Sequence, residues 1–291
     1  MVAWRQPFCG YHIMRLFIAL IFLTASAVLA PCFAAAITPE QVEIAAPEVK
    51  LRSLLYKPEG EGPFPAVIGL HGCGGVTGSA GGPTRRFRDW GQRLAAAGFA
   101  VLFPDSYSSR GLGSLCNTRI RTVRVDHERV ADAEAARSWL QNQAWVTPDR
   151  ISLLGWSNGA ITTLWAVRPH FSAANVGPDF RTAVAFYPGC RRLNETAWTA
   201  RVPTLILIGG ADDWTPPAAC QQMVAGARGR SARISLMVYP GAYHDFDHPN
   251  RPLQQRSGVA FSADGSGKVH TGTNAAARAD AIKRVQDWLT R

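Results

Sequence analysis

Residues 151–167 read ISLLGWSNGAITTLWAV, and this stretch decides the fold because it places a Gly-x-Ser-x-Gly turn between two different patterns. The apolar run Ile151–Leu154 predicts a buried strand, and the sequence from Asn158 onward predicts a helix. In this setting the turn is typical of a nucleophile elbow, which holds the hydroxyl of Ser157 clear of the sheet. Alone, the pattern would also fit a tight glycine turn with a capping serine. The strand before it and the helix after it favour the elbow.

The rest of the chain repeats this alternation of strands and helices, without internal repeats. Continuous apolar strands separated by helices are typical of a mostly parallel sheet that helices cover on both faces, so we predict an α/β fold. The predicted strands are Val49–Tyr56, Pro65–Leu70, Phe99–Phe103, Ile151–Leu154, Ala183–Tyr187, Thr204–Ile208 and Ile234–Tyr239, and the predicted helices include Arg86–Ala97, Val123–Gln141 and Ala275–Leu289. No linker follows residue 37, so we expect residues 37–291 to form a single domain. The polar residues 245–273 are expected to cover the surface or to shape a pocket.

Residues 1–36 have the pattern of a secretory signal peptide. Arg5 and Arg15 precede the apolar run Leu16–Ala30, and Ala34-Ala35-Ala36 offers a cleavage site. A membrane anchor is the alternative, but a run of about 15 residues is shorter than the ~20 that a spanning helix needs. Met14 is an alternative start of the chain. We therefore expect export to the periplasm or the medium, without stable membrane insertion after cleavage.

The charge pattern gives no support for a nucleic-acid partner. The net charge is +10, from 31 Lys and Arg against 21 Asp and Glu. The basic residues are scattered in ones and twos, with no block of five or more like charges and no stripe of aromatic and basic residues. We therefore expect a solvated basic surface and a small-molecule partner.

Four cysteines follow the predicted signal peptide, and no Cys-x-x-Cys pair occurs among them. Zinc-ribbon and thioredoxin chemistry are therefore poorly supported. The serine chemistry described below is expected to require neither a metal nor a cofactor. In an oxidising compartment four cysteines allow three pairings. We favour Cys190–Cys220, because both follow predicted strands at one sheet edge, with Cys73–Cys116 as a second bridge. Buried free thiols are the alternative.

Serine needs a base to remove its proton, and the base needs an acid to orient it. Candidates follow two later strands in the order Ser, Asp, His. Asp212 comes after Thr204–Ile208, and His244 comes after Ile234–Tyr239. Asp212 and Asp213 compete for the orienting role, because adjacent side chains rarely point the same way, and we favour Asp212.

Other polar residues near His244 are expected to lie at the surface. Asp245 adjoins His244, so it is badly placed to grip the imidazole ring and is interpreted as a surface cap. His248 and His270 lie in the polar stretch and are interpreted as solvated.

A tetrahedral intermediate also needs donors for its oxyanion. We assign them to the backbone N–H groups of Asn158, which follows the serine, and of Cys73 in the glycine-rich segment 71–75. Trp156 and Trp214 are candidate walls of the substrate site, with core packing as the alternative. Candidates for receiving a substrate carboxylate are Arg85, Arg86 and Arg110, with solvated surface charge as the alternative.

Five segments together resemble the dienelactone hydrolase family of α/β-hydrolases. They read HGCGG (71–75), FPDSYSSRG (103–111), LLGWSNGA (153–160), LIGGADDWTPP (207–217) and YPGAYHDFD (239–247). The resemblance spans about residues 45–291 and implies the α/β-hydrolase fold. It supports Ser157, Asp212 and His244 as a triad, with Asp212 in the family's G-x-x-D-x-x-x-P position.

Two departures from the family bear on the substrate. The enzymes that give the family its name use a cysteine nucleophile where this chain has Ser157. They also carry a glutamate in the oxyanion loop, where this chain has Gly72. Hydrolysis of general esters or lactones is therefore expected, rather than of dienelactone itself.

The sequence thus predicts a serine hydrolase that cleaves carboxylic esters or lactones through an acyl-enzyme. An acyltransferase or a small peptidase could use the same triad. A non-catalytic ligand-binding protein on a hydrolase scaffold is the alternative from a different class, and the intact Ser, Asp and His argue against it.

Overall fold

The computed structural model describes residues 37–78, 81–169 and 177–291, which form one compact unit around a central sheet. The sheet strands are β1 (Glu40–Ala46), β2 (Val49–Tyr56), β3 (Phe64–Leu70), β4 (Ala100–Pro104), β5 (Val146–Trp156), β6 (Ala183–Phe186), β7 (Thr204–Gly209) and β8 (Ile234–Tyr239). Their order is β1-β2-β4-β3-β5-β6-β7-β8. Strands β1 and β2 pair antiparallel, as do β2 and β4, and every pairing from β4 to β8 is parallel. The predicted α/β-hydrolase fold, with its mostly parallel sheet, is confirmed.

Helices connect the parallel strands and complete the fold. They are α1 (Arg85–Ala96), α2 (Glu128–Gln141), α3 (Asn158–Ala166), α4 (Arg191–Glu195), α5 (Pro217–Ala227) and α6 (Ala275–Leu289). Every residue of β4, β6 and β7 is buried. Because successive side chains of a strand point to opposite faces, complete burial means that both faces of the sheet are covered.

Some elements and boundaries of the structure differ from those that the sequence patterns predicted. Strand β1 is amphipathic and mostly exposed at the sheet edge, so it lacks the continuous apolar run that marks the buried strands. Helix α2 begins at Glu128 rather than Val123, where the carboxylate of Glu128 accepts a hydrogen bond from the N–H of Arg124 at 2.7 Å. The polar stretch contains a separate hairpin of β9 (Gln254–Ser257) and β10 (Lys268–Thr271), whose residues are too polar to indicate strands.

Two disulfides link loops and helices beside the sheet. Cys190, directly before α4, is bonded to Cys220 in α5, which is the pairing favoured from the sequence. Cys73 is bonded to Cys116, which joins the glycine-rich loop after β3 to a second loop. All four cysteines are buried.

The predicted signal peptide lies outside the described residues, so its cleavage and the resulting export stay predictions. Within the ranges that the structure describes, no helix combines the length and the apolar character needed to cross a membrane.

Candidate active site

The nucleophile elbow forms between β5 and α3. Ser157 has a φ of +52°, a backbone conformation that non-glycine residues rarely adopt and that is common at functional sites. A Cβ on Gly159 would lie 1.9 Å from the carbonyl oxygen of Leu70, and one on Gly155 would lie 2.4 Å from the carbonyl oxygen of Gly159. Glycine is therefore required at both positions because the helix packs directly against the strand ends.

Ser157, His244 and Asp212 form a continuous chain of hydrogen bonds. The Oγ of Ser157 lies 3.0 Å from Nε2 of His244, and Nδ1 of His244 lies 2.8 Å from Oδ2 of Asp212. His244 and Asp212 are only 1% and 2% exposed. Because a carboxylate can only accept, Nδ1 carries the proton and Nε2 is free to accept from the serine hydroxyl.

The backbone after Asp212 fixes its carboxylate. Its Oδ1 accepts the N–H groups of Trp214 and Thr215 at 2.9 and 2.8 Å, and its Oδ2 also accepts the hydroxyl of Thr215 at 3.0 Å. With both oxygens engaged, the carboxylate cannot rotate away from the imidazole without losing several hydrogen bonds. This arrangement holds the histidine in one tautomer and one orientation.

Asp213, the competing carboxylate, faces a different histidine. Its oxygens accept from the N–H of His270 at 2.8 Å and contact Nδ1 of the same ring at 2.7 Å. The geometry therefore brings Asp212, and not Asp213, to His244. The interpretation of His270 as solvated is wrong, because its ring is half-buried and pairs with Asp213.

The interpretation of Asp245 as a surface cap is wrong. Asp245 is 7% exposed and pairs with Arg86 of α1 and with Arg251, each at 2.5 Å. The neighbouring carboxylate of Asp247 is fully buried, and it accepts from the indole N–H groups of Trp90 and Trp156 at 2.8 Å. These two carboxylates therefore anchor the loop that carries His244 to α1 and to the core.

The prediction that Trp156 is a wall of the substrate site is wrong. Trp156 is fully buried, and its ring is stacked 5.8 Å from Phe186, because its position in β5 directs it into the core. Trp214 does line the cleft in front of Ser157, with its ring centre 4.7 Å from that of His244.

The glycine-rich loop after β3 borders the site, and its backbone is held on one side. The carbonyl of Cys73 accepts the N–H of Leu115 at 2.8 Å, and the disulfide to Cys116 ties the same residue. The carbonyl of Gly72 accepts the N–H of Gly75 at 3.3 Å. The Cys73 N–H shares a peptide with the Gly72 carbonyl, and since the N–H and C=O of a trans peptide point in opposite directions, this N–H is turned away from Gly75. Within the described ranges neither this N–H nor that of Asn158 has a protein acceptor.

His71, the first residue of this loop, is held as a neutral imidazole. Its Nε2 accepts the N–H of Ser106 at 3.2 Å, so Nδ1 carries the proton and donates to the carbonyl of Gly72 at 2.8 Å. Complete burial, and next the guanidinium of Arg129, lower the pKa of His71 from 6.5 to about 3. Protonation would remove the acceptor for Ser106.

We expect His71 to make the fold acid-sensitive below pH 6.5. Between pH 6.5 and about 3 the unfolded chain binds a proton at His71 that the folded chain does not. As the pH is lowered through this range, the free energy of unfolding therefore falls by about 1.4 kcal/mol per pH unit. Urea unfolding at pH 7.5 and 4.5, with disulfides intact, measures this. The His71→Gln variant should lose about 2–3 kcal/mol less than the parent between these pH values.

The His248→Gln variant is a second test of the same kind, because His248, interpreted above as solvated, is in fact only 7% exposed. Burial and Arg86 lower the pKa of His248 to about 4, so this histidine contributes in the same direction through a separate site. An equal pH dependence of the parent and of His71→Gln would show that His71 is not kept neutral by the fold.

The cleft in front of Ser157 has a volume of about 220 Å³ and a cationic wall. Of the three arginines proposed to receive a carboxylate, Arg86 lines it but is paired with Asp245, Arg110 is paired with Asp132, and Arg85 is not among its lining residues. Arg256 lines the cleft with its guanidinium 5.4 Å from the ring centre of Trp214. No carboxylate of the described ranges lies within ion-pair distance of Arg256. The sequence did not indicate Arg256 as a site residue, because it lies on strand β9, which the sequence patterns did not predict.

A comparison of sequences matches the chain to one family of known proteins. The sequence model of the dienelactone hydrolase family matches residues 51–291. A protein of Escherichia coli (strain K12) named as a carboxymethylenebutenolidase is 27% identical over 211 residues, which cover 67% of this chain and 72% of that protein.

Solved structures share the fold at lower sequence identity. A dienelactone hydrolase from Anabaena variabilis superimposes with a TM-score of 0.58 at 18% identity, over 87% of this chain and 98% of that one. An esterase from Thermogutta terrifontis superimposes with a TM-score of 0.61 at 18% identity, over 88% and 95% of the two chains.

Among the residues that the structure describes, no group of three or more His, Cys, Asp or Glu side chains could hold a metal ion.

Proposed function

Because the chain belongs to the dienelactone hydrolase family and is a hydrolase of esters or lactones, we propose that it works as a serine hydrolase through Ser157, His244 and Asp212. The observation that carries the proposal is the hydrogen-bond chain of 3.0 and 2.8 Å that joins these side chains. Its serine sits on a strained elbow at the floor of an open cleft. Geometry of this kind activates a hydroxyl that is otherwise a poor nucleophile.

In the acylation step, Oγ of Ser157 attacks the carbonyl carbon of the ester while Nε2 of His244 takes the hydroxyl proton. The electron pair of the carbonyl moves to its oxygen, which accepts hydrogen bonds from the N–H groups of Cys73 and Asn158. The intermediate then collapses, the bond to the alcohol oxygen breaks, and His244 donates its proton to the departing alcohol. For a lactone, the alcohol stays attached to the acyl group.

In the deacylation step, water replaces the alcohol and His244 again acts as the base. The water oxygen attacks the acyl carbon while one of its protons passes to His244. The bond between the acyl carbon and Oγ of Ser157 then breaks, and the proton on His244 returns to the serine oxygen. Asp212 remains ionised throughout and stabilises the imidazolium that forms in each step.

Gly72 supports the proposal of a general ester substrate, because the glutamate that the family's name-giving enzymes carry at this position is absent. A Cβ on Gly72 would lie 3.5 Å from the Cβ of Ser157, so a side chain there would adjoin the nucleophile. The absence of a side chain leaves the space beside the serine open to an acyl group.

Export to the periplasm or the medium is part of the proposal. The signal-like pattern of residues 1–36 predicts it, and the two disulfides support it because such bonds persist mainly in oxidising compartments.

A partitioning experiment tests the acyl-enzyme. Several esters with the same acyl group and different alcohols are hydrolysed in the presence of hydroxylamine, and the ratio of hydroxamate to free acid is measured. One shared acyl-enzyme predicts one ratio for the whole series, because the alcohol has left before either nucleophile attacks. A ratio that changes with the leaving alcohol would show direct attack on the ester and would contradict the mechanism.

A further inference from the structure

Arg129, the second residue of α2, is completely buried beneath the candidate site. Its Nη1 donates to Oδ1 of Asn158 at 2.6 Å, and its Nη2 donates to the carbonyl of His71 at 2.8 Å. The guanidinium also lies 5.2 Å from the ring centre of Tyr107, whose hydroxyl donates to the same oxygen of Asn158 at 2.8 Å. No carboxylate within the described ranges lies at ion-pair distance from it.

The two acceptors of Arg129 belong to the two segments that carry the oxyanion donors. His71 begins the loop that contains Cys73, and Asn158 is itself the residue after the nucleophile. One rigid, planar guanidinium therefore ties together two segments whose acceptor residues, His71 and Asn158, are 87 positions apart in the chain. Oxyanion donors must lie within about 2.7–3.1 Å of the developing charge, so small errors in their separation matter.

We propose that Arg129 is a positioning residue that holds the two oxyanion donors at a fixed separation and places an uncompensated positive charge behind them. The inference rests on the proposed function, since it assumes the oxyanion of an acylation step at Ser157.

The energetics of burial favour this role over simple structural bracing. A buried cation without a paired carboxylate destabilises the folded ground state. In the transition state a negative charge forms on the substrate oxygen, and a fixed nearby cation then becomes stabilising without reorganisation.

Arg137 on the same helix offers a matched comparison. It is 3% exposed and also buried, but it pairs with Glu134 at 2.6 Å and donates to the carbonyl of Pro178 at 2.6 Å. None of these partners belongs to the candidate site. Arg137→Met therefore reports what the loss of a buried arginine from α2 does to stability alone.

The test uses the full chain and an alkyl trifluoromethyl ketone as the probe. In the adduct a bond forms between Oγ of Ser157 and the ketone carbon, the hydroxyl proton passes to His244, and the former carbonyl oxygen carries the negative charge. Affinity for this compound therefore reports oxyanion stabilisation, whereas KM for an ester reports ground-state binding.

We expect Arg129→Met to lower kcat by about 100-fold, with KM changed by less than about threefold, and to weaken ketone binding by a similar factor of about 100. Arg137→Met should leave kcat and ketone affinity within about threefold of the parent at a temperature where both variants are folded. Arg129→Lys keeps a charge but cannot span both acceptors, so it should fall between Arg129→Met and the parent.

The proposal is overturned if Arg129→Met and Arg137→Met show the same kcat and the same ketone affinity. If Arg129→Met does not fold, Arg129→Lys decides, and parental values of both constants in that variant overturn the proposal. A parent enzyme that turns over esters but forms no adduct at Ser157 instead refutes the proposed function, and the role of Arg129 falls with it.

Discussion

Replacement of Ser157 by alanine is expected to lower kcat/KM for esters by about 10⁴-fold or more, because no other described hydroxyl lies within hydrogen-bond distance of Nε2 of His244. The residual rate would come from substrate binding and the oxyanion donors alone. The fold should persist, since alanine and serine meet the same backbone strain at a φ of +52°. Steady-state kinetics on a p-nitrophenyl ester measures the effect.

Ser152→Ala is the matched control for this variant. Ser152 lies in the same strand β5, is 2% exposed and bonds to the hydroxyl of Thr182 at 3.1 Å, away from the cleft. Its loss should cost about 1 kcal/mol of stability and leave turnover within about twofold. Comparable losses of turnover in the two variants would mean that the Ser157 effect is structural.

The second large effect concerns the two adjacent aspartates. Asp212→Asn is expected to lower kcat by about 10³–10⁴-fold, because an amide NH₂ can donate to Nδ1 of His244 and so favours the tautomer with the proton on Nε2. That tautomer cannot take the proton of Ser157. Raising the pH should not restore activity, since the defect is one of tautomer and not of charge.

Asp213→Asn is the control, because it differs by a single position and loses a half-exposed pair with His270. Exposed ion pairs contribute little to the stability of the fold, and Asp213 does not contact His244, so kcat should change by less than about threefold. The assignment of the orienting carboxylate would be reversed if Asp213→Asn caused the large loss and Asp212→Asn the small one. Thermal unfolding of both variants checks that each is folded.

The sequence predicted the parts of this site that depend on local order along the chain. The apolar run of β5, the glycine turn and the start of α3 identify the elbow, and the strand ends before Asp212 and His244 place both at one edge of the sheet. These features follow from periodicity and chain order, which a single sequence contains.

The parts that the sequence did not predict depend on contacts between distant segments. Asp245 adjoins His244, yet its role follows from Arg86, which lies 159 residues away in the chain. Arg129 looks like one charge among several on a polar helix, and its burial shows only after α2 packs beneath Asn158. No periodicity marks a residue whose partners are single atoms of remote loops.

Trp156 is a residue for which the sequence predicted a contact that the structure does not contain. Its position next to the serine suggested a substrate contact, but strand alternation directs its side chain away from the cleft and into the core beside Phe186. A position next to the nucleophile in the sequence is therefore a weak guide to the residues that line a cleft. The face of the sheet to which a strand residue points is a stronger guide.

Mass spectrometry of the chain after reaction with a fluorophosphonate tests the central claim most directly. The phosphonyl group should appear once per chain on the peptide that contains Ser157, with fragmentation placing it on that serine, and denatured protein should remain unlabelled. Folded, ester-hydrolysing protein that stays unlabelled at Ser157, or carries the group on another residue, would contradict the account.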